Sequence, residues 1–263
     1  MTPASATTAS IDPAELRKFS AIADDWWDPH GSFRPLHRLN PVRLACIRDR
    51  LCAHFGRDPR ALTPLDGLRL VDIGCGGGLV AEPMARMGAT VTGIDAVDRN
   101  IAVARLHAET QELAIDYRLA TAETLAAEGQ QFDVVLNLEI IEHVPDPAAF
   151  IATCAALVRP GGVMVTSTIN RTARAYALAV VGAEYVLRWL PRGTHDWRRF
   201  IKPSELARYL RGAGMEARDL TGVVFNPLSG GWQLDGRDVA VNYMMLSVKP
   251  EQPDATACPA ASG

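Results

Sequence analysis

Residues 68 to 78, LRLVDIGCGGG, join an apolar run of strand length to a stretch in which four of five positions are glycine. Followed by the amphipathic segment from Leu79 to Met87, this predicts a strand, a tight turn and a helix. The unit then recurs. ATVTGI precedes a helix predicted from Arg99 to Glu109, and IDYRLA follows it. FDVVLNL precedes a helix predicted from Pro147 to Val158, and GVMVTSTI comes after a stop at Pro160, Gly161 and Gly162. Strands alternating with helices in this way are linked by right-handed crossovers and lie parallel in one sheet. Five strands are placed by this argument. The last apolar runs, Met215 to Phe225 and Val239 to Val248, have turn residues between them and predict an antiparallel edge. Ahead of the sheet, Pro13 to Asp25 and Leu36 to Phe55 carry apolar residues at three- and four-residue spacing, which predicts a helical cap over residues 12–66.

Residues 12–249 are therefore expected to form a single α/β domain, with 1–11 and 250–263 as disordered tails too poor in apolar residues to offset the entropy of ordering. With 48% hydrophobic and 22% charged residues the chain has the composition of a folded globular protein. A net charge of −3 provides no global basic field, so no nucleic-acid partner is expected, although arginines gather between 188 and 199. Five scattered cysteines, Cys46, Cys52, Cys75, Cys154 and Cys258, fit neither a disulfide framework nor a zinc cage. The first residues lack the basic head and apolar core of a secretory signal, which points to the cytoplasm.

The glycine loop is where a nucleotide-like ligand is expected, because ligands of open α/β sheets bind at the carboxyl ends of the strands. A dinucleotide fingerprint needs its third glycine at position 79, where this chain has Leu79, and Asp72 adds a carboxylate just before Gly74 and Gly76. Both features favour S-adenosylmethionine, whose tail is an amino acid with no pyrophosphate, over NAD. A flavin site, a nicotinamide site and a purely structural turn remain alternatives. Asp95 ends the second strand, where its carboxylate either accepts the hydroxyls of a ribose or caps the following helix.

Leu138, Glu139, Ile140, Ile141, Glu142 and His143 follow the fourth strand at the same edge. If this segment is helical, Glu139, Glu142 and His143 share one face at i, i+3 and i+4, a spacing that can chelate a divalent ion. The alternative is that the histidine and acids cap or pack; Mg²⁺ also prefers oxygen ligands.

An acid-ended second strand, FDVV in the fourth and LVRPGG before the fifth resemble the class I adenosylmethionine-dependent methyltransferases, with a Rossmann-like sheet of seven strands, mostly parallel with an antiparallel edge strand. In that class an acid at the position of Glu123 often faces the adenine amino group; helix capping is the other reading. FRPLHRLNPVR at 33–43, STINR at 167–171, VVGAEY at 180–185, GTHDW at 193–197, FIKPSEL at 200–206 and VNYM at 241–244 narrow the resemblance to the ubiquinone-biosynthesis O-methyltransferases, over about Leu16 to Val248. The resemblance implies methylation of polyprenyl catechols, both polyprenyl benzenediol and demethylubiquinol. It further implies contacts to adenosylmethionine from Arg43, Gly74, Asp95 and Leu138, Mg²⁺ held by Glu139, Glu142 and His143, and a place in a ubiquinone-biosynthesis protein complex.

The chemistry is consistent with such an assignment. Methyl transfer from a sulfonium is an in-line displacement that needs an aligned, at least partly deprotonated acceptor oxygen. Either a divalent ion supplies that by chelating both catechol oxygens, or His143 or His195 takes the proton. His195 has a structural alternative, paired with Asp196. The insert at 171–202 carries an apolar stretch, residues 173–190, fringed by arginines. It is too interrupted and too short to span a bilayer, and reads as a lid, as an interfacial contact peripheral to the inner membrane, or as both. Trp26 and Trp27 are expected to pack the cap on the core rather than to wall the acceptor pocket.

Overall fold

The computed structural model describes residues 23–178, 196–226 and 230–251. The first cap helix expected from the sequence falls mostly outside this set, apart from a 3-10 turn at Ala23–Asp25. The second runs over Arg34–Phe55 (α1). Pro35 stands in its first turn, where a missing N–H leaves no bond unmade, and Gly56 ends it in the left-handed conformation at φ 64°.

The alternating strands and helices close into one eight-stranded sheet in the order β3-β2-β1-β4-β5-β8-β6-β7. The parallel part is Arg69–Ile73 (β1), Thr90–Asp95 (β2), Asp116–Leu119 (β3), Phe132–Leu138 (β4) and Val158–Ile169 (β5). Antiparallel pairing adds Glu216–Asn226 (β6), Gly231–Asp235 (β7) and Asn242–Val248 (β8).

Two expectations differ from the structure. The sheet has eight strands rather than seven: Gly231–Asp235, expected to be only turn, pairs with β6 and forms the outer edge. It is short and mostly half-exposed, so it lacks the apolar run that reveals a buried strand. The runs Met215 to Phe225 and Val239 to Val248 pair antiparallel as expected, and β8 lies between β5 and β6 with Tyr243 to Leu246 buried. The stop at Pro160 to Gly162 interrupts pairing without ending β5. Val158 faces Phe132, the next partners are Val134 and Val163, and the intervening residues bulge out with Gly161 at φ 73°.

Side chains alternate between the two faces of the sheet. Leu70, Val91, Val134, Leu136 and Val165 pack with Ile47 and Leu51 of α1, Met84 of Ala81–Arg86 (α2) and Ile101 of Asp98–Thr110 (α3). Val71, Ile94, Val135 and Met164 face the other way, against Leu125 of Ala122–Ala127 (α4), Phe150 of Pro147–Leu157 (α5) and Leu206 of Pro203–Gly212 (α6). Each such side chain contributes roughly 1.5–3 kcal/mol by leaving water, and together they hold the carboxyl edge of the sheet as a stiff platform. Cys46, Cys52, Cys75 and Cys154 are buried free thiols.

Candidate active site

The carboxyl ends of β1, β2, β4 and β5 meet beside the N-terminal half of α1, and the polar residues of the core collect there. After Ile73 the chain turns through Gly74 (φ 70°) and Gly76 (φ 54°), with the N–H groups of Gly74 and Cys75 both donating to Ile94 O at 2.8 and 2.9 Å. Left-handed backbone favours glycine, and space demands it as well. A Cβ at Gly74 would lie 2.3 Å from Ile140 Cδ1, and one at Gly76 would lie 2.3 Å from Trp26 Cζ2.

Asp95 is tied to this loop. Its Oδ2 accepts the Gly76 N–H at 2.9 Å, and its Oδ1 accepts the Val97 N–H at 2.8 Å and Asn100 Nδ2 at 3.2 Å. Burial raises its pKa above the usual carboxylate value, against the pull of those donors. The carboxylate thus braces the turn into α3, and Oδ2 keeps a lone-pair direction for a further donor.

Asp72 is buried, and burial raises it to about 7; Arg43 opposes the shift, Asp95 adds to it, and the Ala81 N–H lowers it. Arg43 of α1 is 4% exposed, which is rare for a guanidinium. One of its terminal nitrogens donates to Asn40 Oδ1 at 2.5 Å, whereas Nε is buried with no partner. Desolvation lowers its pKa, and the charges of Glu139 and Asp72 work against that. A buried cationic nitrogen without an acceptor is costly, and an anionic ligand group removes the cost.

In the strand next to β1, the chain leaves β4 through Leu138, which is buried and paired with Ser167. Glu139 adopts φ 59°, a conformation unusual for a residue with a side chain. Its N–H donates to Ser167 O at 2.9 Å and its Oε1 accepts Ser167 Oγ at 2.6 Å. Residues 141–143 form a turn. The helical spacing that would put Glu139, Glu142 and His143 on one face is therefore absent, because the left-handed residue at 139 diverts the chain before a helix can start. Glu142 is 4% exposed and accepts Thr168 Oγ1 at 2.8 Å. Burial raises its pKa, the neighbouring Glu139 raises it further, and His143 lowers it. The donor set, two carboxylates and an imidazole in electrostatic contact, suits a divalent cation chemically. The geometry does not: among the described residues no three histidine, cysteine or acidic side chains are gathered as a ligand cluster, and both carboxylates are engaged by hydroxyls.

Glu123 is half-buried in the first turn of α4, but the cap of that helix is Thr121, whose hydroxyl accepts the Thr124 N–H at 3.3 Å. His195 and most of residues 173–190 lie outside the described residues. Trp26 packs as expected, stacked on Phe33 with ring centroids 3.6 Å apart. Three contributors escape a reading from sequence alone: Ser167 and Thr168, which hold the two acids, and Asn100. The signal for the hydroxyls is the polar end of an otherwise apolar strand, VMVTSTI.

A family described as "Methyltransferase domain" matches residues 71–166, the span from β1 to β5. Among solved structures, the magnesium protoporphyrin IX methyltransferase of Synechocystis PCC 6803 with bound SAM aligns with a TM-score of 0.62 at 18% identity, covering 92% of this chain and 100% of that one. A SAM-dependent methyltransferase from Thermotoga maritima aligns at 0.61 and 18%, covering 89% and 99%. The fold is that of the adenosylmethionine-dependent methyltransferases, built around the glycine loop described above. The ubiquinone biosynthesis O-methyltransferase of Cereibacter sphaeroides is 57% identical over 243 residues, 92% of this chain and 98% of its own length. That of Parvibaculum lavamentivorans is 56% identical over 242 residues, 92% and 95%. With identity at this level over nearly the whole of both chains, the protein belongs to the ubiquinone biosynthesis O-methyltransferase family.

Proposed function

We propose that the protein transfers the methyl group of S-adenosylmethionine to a catechol hydroxyl of polyprenyl ubiquinone precursors, the polyprenyl benzenediol and the demethylubiquinol. The observation that carries the donor half is the unpartnered Nε of buried Arg43 beside Asp72. A zwitterionic amino-acid tail satisfies both, its carboxylate on Arg43 and its ammonium on Asp72. Asp95 then takes the ribose through its remaining acceptor capacity and Glu123 the adenine amino group, while Gly74, Gly76 and Leu138 contribute backbone and close packing.

The acceptor lies against Glu139, Glu142 and His143. Glu142 already has a raised proton affinity, and its carboxylate or the His143 ring would take the phenolic proton; His195 is a further candidate base. The same reading assigns Mg²⁺ to Glu139, Glu142 and His143. The donor chemistry supports it, whereas the geometry does not: the two carboxylates would have to turn from Ser167 and Thr168 to gather as ligands. An ion held by Glu139, Glu142 and His143 would supply Lewis acidity toward the acceptor.

The insert is proposed as a lid that also rests on the cytoplasmic face of the inner membrane, near the polyprenyl substrate and other proteins of the pathway. Its described flanks support this reading: Tyr176, Leu178 and Trp197 are 47%, 52% and 40% exposed, close to Arg198 and Arg199. Arg171 and Arg174 pair with Glu205 and Asp238. No helix among the described residues is long and apolar enough to cross a membrane.

The test is incubation of the folded protein with adenosylmethionine, reductant and a short-chain demethylubiquinol. Methylated product is expected. Absence of product, with turnover of soluble phenols instead, overturns the lipid-catechol reading. Activity lost on chelation and restored by Mg²⁺ is the expected metal response, and full activity in chelator rules the ion out.

A further inference from the structure

Asn100 is 2% exposed, sits in the first turn of α3, and has no place in the reading above. Its side chain joins two elements distant in sequence. Trp26 Nε1 donates to Asn100 Oδ1 at 2.8 Å, and Asn100 Nδ2 donates to Asp95 Oδ1 at 3.2 Å. The amide has only one orientation that satisfies both partners, since an indole N–H only donates and a carboxylate only accepts. On its other oxygen, Asp95 holds the Gly76 N–H, and the Trp26 ring lies against Gly76 and Gly77 so closely that a Cβ on either would collide with it. Cap, amide, carboxylate and glycine loop therefore form a closed circuit of buried contacts. In it, the Gly76 and Val97 N–H groups and Asn100 Nδ2 together orient the Asp95 carboxylate.

We infer that Asn100 is a positioning residue for the donor's ribose: by pinning Oδ1 of Asp95 it leaves Oδ2 presented to the ligand, and by holding Trp26 it makes that presentation depend on the cap being seated. The inference rests on the reading of Asp95 as the ribose acceptor. Without Asn100 the carboxylate keeps its backbone donors but gains freedom about its side-chain torsions, and a hydrogen bond to a mobile acceptor contributes less.

The experiment compares binding of S-adenosylhomocysteine and of its 2′-deoxy and 3′-deoxy analogues by calorimetry, in which the stoichiometry counts folded sites. In the unaltered protein, loss of the recognised hydroxyl is expected to weaken binding about 10- to 100-fold, the usual range for a hydrogen bond to a charged group. In Asn100→Ala that ratio is expected to fall to about 3-fold or less. Trp26→Phe, which keeps a ring on Phe33 but removes the donor, is expected to fall in between. A purely structural role weakens all ligands alike and leaves the ratio unchanged, so an unchanged ratio in Asn100→Ala overturns the inference. Where that variant yields too little folded protein, Asn100→Ser, which keeps a small polar side chain but loses the reach to Asp95, is read by the same criterion. If the unaltered protein shows no deoxy penalty at either position, the Asp95 reading itself is wrong, and the inference falls with it.

Discussion

The two ends of the carboxyl edge are braced by different kinds of partner. Around β1 and β2, Asp95 is held by two backbone N–H groups and a buried amide, and Asp72 by the Ala81 N–H and the Arg43 charge. Around β4 and β5, Glu139 is held by the Ser167 hydroxyl, and Glu142 by the Thr168 hydroxyl and its own N–H. Backbone donors move only if the fold moves, whereas a hydroxyl rotates and can exchange its partner. The proposed donor end is thus set by the fold itself. The proposed acceptor end keeps two carboxylates crowded together, one raised in pKa, on hydroxyl partners that can rotate away.

The comparison breaks most decisively at Arg43. Arg43→Met is expected to raise the dissociation constant for adenosylmethionine by about 100-fold or more, because it leaves the donor carboxylate and Asp72 without a buried counter-charge; calorimetry measures it. An effect below about 5-fold would mean that the donor's carboxylate is bound elsewhere. On the acceptor side, Glu142→Ala is expected to lower kcat/KM for a catechol by about 10²- to 10³-fold, in the range of lost acid–base or electrostatic help, while adenosylmethionine affinity stays within about 3-fold. If donor affinity fell equally, the two ends would not be separable.

Gly76→Ala tests the rigidity of the donor end directly. With φ at 54° and Trp26 in the way, the variant is expected to lose about 1–3 kcal/mol of stability, seen in urea unfolding. Its adenosylmethionine affinity is expected to fall as well.

A smaller effect concerns pH. Asp72 binds its proton more tightly in the folded chain, at about 7, than in the unfolded chain, near the ordinary value of 3.8. Between those values the folded state holds the extra proton, so this group's contribution to stability is full below pH 4 and is lost as pH rises through 7. Asp72→Asn is expected to flatten that decline in the ligand-free protein when unfolding is followed from pH 5 to 8. Binding of an ammonium beside Asp72 favours the ionised form. Adenosylmethionine is therefore expected to bind a few-fold more tightly at pH 8 than at pH 6, with proton release visible as a buffer-dependent calorimetric heat.

Much of this architecture was legible in the residues. Short apolar runs located β1 to β5, since strands covered on both faces need continuous apolar side chains. Gly74 to Gly78, Asp95 and the EIIEH segment fell at strand ends, and strand ends of a parallel sheet are where sites form. The short β7, with little buried surface to advertise it, was not visible. Nor was the turn at 139–143, where one residue at positive φ overrides an apolar and acidic pattern compatible with a helix.

The sequence by itself determined the layering of the sheet and the placing of an acid, a glycine turn and an acidic cluster on one edge, because those follow from local periodicity and from the geometry of parallel strands. Only the tertiary structure decided which partner each polar group has. It buried Arg43 with a free nitrogen, gave Asp95 to Gly76 and Asn100, and turned Glu139 and Glu142 onto the hydroxyls of β5. Hydrogen bonds and buried charges depend on atoms brought together from residues tens of positions apart, and no local pattern encodes that proximity.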